Sequence, residues 1–178
     1  MNLPNYITLL RIILIPFFIN FMIYGYRKAA LIVFIVACIT DALDGLIARL
    51  TNTQTELGAF FDPIADKLLI ISAFVTLVII GMLPIWFAII VVSRDMILVL
   101  GSIALYFSGH QFVARPSIIG KATTVFQLAA VILSLTMKKT GNNAVLINTL
   151  YWIAAALTLA SGSQYVFRGI KIVGRNPE

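Results

Sequence analysis

The chain has 178 residues, 61% of them hydrophobic and 11% charged, with a mean hydropathy of +1.01 and a formal charge of +6. So much apolar surface exceeds what a soluble domain of this size buries, so the composition points to a bilayer and excludes an ordinary water-soluble enzyme. The 13 Lys and Arg are scattered through hydrophobic sequence without a dense run or interleaved aromatics, which excludes a nucleic-acid surface and leaves anionic lipid and phosphate as partners of the charge.

Six apolar segments, each near the ~20 helical residues that cross a hydrocarbon core, are predicted at 7–24, 29–49, 59–81, 84–107, 117–137 and 144–168. The expected fold is an all-α integral membrane protein with six transmembrane helices in a single domain over 1–178. The opening MNLPNYITLLRI lacks a basic leader, and Pro4 and Arg11 fit a cleaved signal peptide poorly. Asn5, Thr8 and Arg11 recur every three residues at the start of the first segment, where ligand contact competes with capping and snorkelling. Cys38 stands alone in the second segment, so one chain can build neither a disulfide nor a cysteine metal site. It reads as a small buried hydrophobe. In the fourth segment the neighbours Arg94 and Asp95 are either a self-compensating pair or a pair facing a functional cavity. Trp86, Tyr151 and Trp152 fall near segment ends and are expected as interfacial anchors. His110 has no partner pattern.

The breaks carry turn or polar chemistry at Gly25–Lys28, Thr51–Glu56, Gly81–Pro84, Ser108–Pro116 and Lys138–Asn143. An even number of spans puts both termini on one side with the 50–58 and 108–116 loops. That side collects Arg49, Arg115, Lys121, Arg168, Lys171 and Arg175, against Arg27, Lys28, Lys138 and Lys139 opposite. The bias places the termini in the cytoplasm.

Of the 7 acidic residues, five lie between positions 41 and 66 in TDALDGLIARLTNTQTELGAFFDPIADKLL. Asp41 and Asp44 are three apart at the end of the second segment; Asp62 and Asp66 are four apart at the start of the third. Either spacing puts both carboxylates on one helical face. The short polar connection lets the two helices return as an antiparallel pair with the carboxylates across one pocket. Each charged Asp near a helix centre costs about 2.5–3.5 kcal/mol to insert. Two carboxylates at ~4 Å repel by about 4 kcal/mol at an effective dielectric of 20. Arg49 and Lys67 cannot neutralise four acids, whereas one or two divalent cations can, and hard carboxylate oxygens suit Mg²⁺, Mn²⁺ or Ca²⁺. A binuclear metal site is expected. Gly45 and Ala48, each four residues after an aspartate, leave backbone open beside the carboxylates; Gly58 does the same before the third helix. Arg49 offers a fork suited to phosphate.

Together, Asp41, Asp44, Gly45, Ala48, Arg49, Gly58, Asp62 and Asp66 form the pattern D-x2-D-G-x2-A-R-x8-G-x3-D-x3-D, which resembles the signature of the CDP-alcohol phosphotransferases at every fixed position. The resemblance covers the whole chain. It implies six transmembrane helices, a cytosol-facing site, usually a homodimer, and residence in a bacterial inner membrane. It implies that Asp41, Asp44 and Asp62, helped by Asp66, hold two divalent cations, Mg²⁺ or Mn²⁺, with Asp66 as the base. Asp44, Gly45, Ala48, Arg49 and Gly58 would then line the CDP site of a CDP-diacylglycerol donor, with Asn5 and Thr8 as further nucleotide contacts.

The runs NLPNYITLLRI, GAFFDPIADKLL and GKATTVFQ resemble family members whose acceptor is glycerol 3-phosphate. Arg115, Lys121, Arg168 and Lys171 are the candidates for holding the acceptor phosphate. The sequence departs from that pattern at Thr123, where a second lysine often stands. SRDMILVLGS and RPSIIGKATTVFQ also resemble members that use phosphatidylglycerol. Intramembrane prenyltransferases, which pair aspartate motifs with magnesium, fit worse because there is a single acidic cluster with Gly45, Ala48 and Arg49 inside it. The non-enzymatic rival is a divalent-cation transporter.

Overall fold

A computed structural model describes the backbone of residues 3–51, 56–107, 118–137 and 141–173, and the side chains of 10–40, 67–101, 103, 118–137 and 141–170. Six helices follow one another: α1 (Leu3–Ile23), α2 (Arg27–Thr51), α3 (Glu56–Ile79), α4 (Ile85–Phe107), α5 (Ile118–Thr136) and α6 (Asn142–Val173). The described residues contain no strand. All six predicted segments are helical, and α6 continues beyond its predicted end at 168 to Val173. The α5 helix and the Asn142–Ile170 part of α6 are long and apolar enough to cross a membrane, and Leu10–Ile23 and Lys67–Ile79 are shorter apolar stretches. The exterior is rich in large apolar side chains such as Phe17, Ile32, Ile39, Ile97, Leu159 and Phe167, a surface suited to lipid.

Two of the predicted breaks are glycine-capped helix ends. Gly25 (φ 78°) and Gly81 (φ 76°) adopt the left-handed backbone that side chains disfavour. Each closes a Schellman motif. Tyr26 N donates to Phe21 O at 2.8 Å and Gly25 N to Met22 O at 3.1 Å, while Met82 N donates to Leu77 O at 2.8 Å and Gly81 N to Val78 O at 2.9 Å. The orphan carbonyls at the ends of α1 and α3 are thereby satisfied.

The chain divides into two compact units, Met1–Leu83 with Ser134–Met137, and Pro84–Leu133 with Lys138–Glu178. In the first, α1 packs on both α2 and α3. Phe18 of α1 and Phe34 of α2 are fully buried with ring centroids 5.8 Å apart. Ala30 and Ala37, one turn either side of Phe34, are also fully buried, and their small side chains let α1 approach closely. Ala73, Phe74 and Leu77 supply the buried face of α3.

In the second unit, α4 packs on α6. Trp86 stacks on Trp152 at 4.6 Å, Arg94 reaches Ser161, and the Tyr165 hydroxyl donates to Leu98 O. The partners are offset by a nearly constant 66 or 67 positions, so α4 and α6 run parallel. The intervening α5 returns antiparallel and is pinned to α6 by hydrogen bonds. Tyr151, expected as an interfacial anchor, is instead core: it is 1% exposed and stacks on Phe87 at 5.0 Å. Trp86 and Trp152 do keep exposed ring surface, as anchors require.

Because close packing of Phe34 against Phe18 holds α1 on α2, deleting the Phe34 ring leaves a void that α1 cannot fill. Phe34→Ala is expected to lower stability by about 3–5 kcal/mol, read as a reduced thermal midpoint of the purified protein in detergent.

Candidate functional site

The residues singled out by the sequence divide between the two units. Asp41, Asp44, Gly45, Ala48 and Arg49 stand on the last three turns of α2, and Gly58, Asp62 and Asp66 on the first three of α3. Both helices pack on α1, which also carries Asn5 and Thr8. The side chains of these ten residues lie outside the described ones, as does that of Lys171 near the end of α6. Arg115 lies outside the described residues altogether. Lys121, on the first turn of α5, and Arg168, near the end of α6, are both exposed.

Backbone register relates α1 to the acidic end of α2. The two helices form an antiparallel hairpin through Gly25, with Phe18 against Phe34. Arg11 is seven residues before Phe18 and Asp41 seven after Phe34, so their backbones stand at one level. Arg11 is 1% exposed. A snorkelling arginine keeps its guanidinium in water, so that reading is excluded here. The sequence brings a buried positive charge to the stretch of α1 beside the aspartate-bearing end of α2.

The second unit holds a buried ion pair. Arg94 Nη1 lies 2.6 Å from Asp95 Oδ1, and the two side chains are 8% and 0% exposed. Arg94 Nη2 also donates to Ser161 Oγ at 2.7 Å. The pair is therefore self-compensating, one of the two readings open from the sequence, and it reaches across to α6. Gly162 makes room for it: a Cβ there would stand 3.2 Å from Arg94 Cγ.

Polar contacts continue along α6. Thr123 Oγ1 donates to Ile119 O at 2.8 Å in its own helix and lies 3.1 Å from Leu157 O. Gln127 Nε2 donates to Thr158 Oγ1, whose own proton goes to Ala154 O at 2.6 Å. Thr123, Gln127, Thr158 and Ser161 are all buried. Thr123 thus serves as a helix-to-helix pin. Sequence reasoning missed this seam. The available signal was the spacing of Thr158, Ser161 and Tyr165, three and four residues apart on one stripe of an otherwise apolar helix.

Comparison with known proteins places this arrangement among its relatives. The family model described as CDP-alcohol phosphatidyltransferase matches residues 1–160. A probable phosphatidylglycerophosphate synthase of Mycobacterium tuberculosis is 36% identical over 179 residues, covering 97% of this chain and 84% of the relative. Proteins of Bacillus subtilis and Aquifex aeolicus, both named CDP-diacylglycerol--glycerol-3-phosphate 3-phosphatidyltransferase, are 33% and 30% identical. These alignments cover 92% and 97% of this chain and 93% and 98% of the relatives.

Removing one partner of a buried ion pair leaves the other charge without its compensation, whereas replacing both by apolar groups does not. Arg94→Met is expected to destabilise the protein by about 3–5 kcal/mol. Arg94→Met combined with Asp95→Leu should recover most of that loss, both read from unfolding in detergent.

Proposed function

The chain belongs to the CDP-alcohol phosphatidyltransferase family, and on that premise we propose that it transfers a phosphatidyl group from CDP-diacylglycerol to glycerol 3-phosphate, releasing CMP and forming phosphatidylglycerophosphate. The observation that carries this reading is similarity, over nearly the whole chain, to enzymes named for that reaction, combined with an eight-position acidic motif divided between α2 and α3.

The donor set suits two divalent cations, Mg²⁺ or Mn²⁺. Asp41, Asp44, Asp62 and Asp66 offer only hard carboxylate oxygens, in pairs three and four residues apart on two helices that share α1 as a packing partner. Bound there, such ions supply charge neutralisation to a pyrophosphate and to the phosphorus under attack. The protein's own groups do the rest. Asp66 accepts the proton of the acceptor hydroxyl as its oxygen bonds to the phosphatidyl phosphorus. The bond from that phosphorus to the bridging oxygen breaks, and CMP leaves with that oxygen. Gly45, Ala48 and Gly58 leave backbone accessible to the CDP moiety, Arg49 offers paired donors to its phosphates, and Asn5 and Thr8 contact the nucleotide. Arg115, Lys121, Arg168 and Lys171 hold the acceptor phosphate.

The whole chain acts as one catalytic domain integral to a bacterial inner membrane. All six helices span, both termini and the active site face the cytoplasm, and the enzyme works as a homodimer. The orientation is supported by the excess of Lys and Arg on the side of the termini.

Purified protein supplied with CDP-diacylglycerol and Mg²⁺ should release CMP with glycerol 3-phosphate in preference to phosphatidylglycerol, serine, inositol phosphate or glycerol. Chelation should abolish release, and Asp66→Asn should lower turnover by about 10²–10⁴-fold while retaining much of the nucleotide binding. Preference for phosphatidylglycerol would reassign the acceptor; metal flux without CMP would indicate a transporter.

The orientation has its own test. In a Cys38→Ala background, an impermeant maleimide should label Asn142→Cys in intact spheroplasts. Glu178→Cys should be labelled only after permeabilisation.

A further inference from the structure

The mechanism above uses Arg168 at the end of α6 but not the hydrogen bonds that fix α6 in place. Ser161 and Tyr165 lie seven and three residues before Arg168, so all three share one stripe of the helix. Ser161 Oγ accepts from Arg94, and one turn further on the Tyr165 hydroxyl donates to Leu98 O at 3.2 Å. The acceptors and donors on α4 are likewise one turn apart, so the contacts form two rungs between parallel helices.

Two glycines make the rungs possible. Gly162 leaves space for the Arg94 stem, and a Cβ at Gly101 would come within 3.1 Å of the Tyr165 ring. The ring therefore lies directly over the α4 backbone. Two rungs on one stripe fix both the roll of α6 and its height against α4, because rotation or sliding by one residue breaks both hydrogen bonds. The third rung position on that stripe is Arg168, which is exposed. A 32-residue helix is roughly 48 Å long, well beyond a ~30 Å hydrocarbon core, so its last turns need such anchorage to be held in one orientation.

The pin between Thr123 and Leu157 adds direction. Because α5 is antiparallel to α6, the start of α5, with Lys121, lies toward the end of the pair that carries Arg168. Of the four proposed phosphate-holding residues, Arg168 is the one on the stripe of α6 that these contacts set.

We propose that Tyr165 and Ser161 are positioning residues for the acceptor: by locking α6 to α4 they aim Arg168 at the acceptor phosphate, and they set the affinity for the acceptor rather than for the nucleotide donor. This rests on the proposed glycerol 3-phosphate reaction. Guanidinium binding of a phosphate depends on directed, paired donors, so a loosened helix loses affinity without losing charge.

The test is a double-mutant cycle read in KM. Tyr165→Phe removes only the hydroxyl and keeps the ring on Gly101. It is expected to raise the KM for glycerol 3-phosphate by about 3–10-fold, the range of one hydrogen bond, with the KM for CDP-diacylglycerol within about twofold of wild type. In an Arg168→Gln background the same change should have almost no further effect, because the residue through which it acts is gone. Ser161→Ala should behave likewise, and Ser161→Thr, which retains the hydroxyl, should restore the wild-type acceptor KM. Independent, multiplicative effects of Tyr165→Phe and Arg168→Gln would overturn the proposal, as would equal changes in both substrates' KM. Wild-type protein that releases no CMP in response to glycerol 3-phosphate would instead overturn the functional reading itself.

Discussion

A charge inside an apolar helix persists only beside something that compensates it, and this chain meets that constraint in two ways. In the second unit the compensation is internal. Arg94 and Asp95 neutralise each other at 2.6 Å, and Ser161 takes up a further guanidinium donor. The pair serves as architecture. On α2 and α3 the account is different: four aspartates stand within 26 residues, and the nearby cations Arg11, Arg49 and Lys67 are too few to cancel them. Carboxylates drawn together repel one another, so the proposed chemistry follows from the missing positive charge. On the proposed reading, divalent cations would satisfy the carboxylates, and the same ions would suit a pyrophosphate.

The helices are arranged to serve these two centres. In the first unit α1 is the shared partner of α2 and α3, held by Phe18 on Phe34 and by the small residues Ala30 and Ala37. That packing brings buried Arg11 level with the backbone of Asp41. In the second unit α6 is the shared partner of α4 and α5. Its stripe of Thr158, Ser161 and Tyr165 is fixed by side chains from α5 and by the side chain and backbone of α4, and the stripe continues to Arg168. Apolar packing dominates one end of the α4–α6 contact, where Trp86, Phe87, Tyr151 and Trp152 stack, and polar rungs dominate the other. Polar contacts are the more directional of the two, and they lie toward the end of α6 that carries Arg168.

Much of this was legible in the residues. Apolar runs announced six helices, and Gly25 and Gly81 marked ends that the structure closes as Schellman motifs, because a left-handed residue is a local demand that only the sequence nearby can meet. The acidic motif was legible for a similar reason: its spacing is set within two helices. Pairings between distant helices were not. Tyr151 reads like its neighbour Trp152, yet one stacks in the core and the other faces out, a choice made by where α4 passes. Arg11 reads like a snorkelling arginine until α2 and α3 are packed around it. The partnership of Arg94 with Ser161, 67 positions away, depends on the parallel offset of α4 and α6, which no local pattern encodes.

The central claim is that the aspartates of α2 and α3 coexist by sharing divalent cations, and the most direct measurement is the number and coupling of Mn²⁺ ions bound to purified protein by electron paramagnetic resonance. Two ions per chain with spin-coupled spectra, reduced to weak uncoupled binding in Asp41→Asn or Asp62→Asn, is the predicted result. Wild-type protein that binds no Mn²⁺ at millimolar concentration, or binds it equally well after both substitutions, would contradict the account.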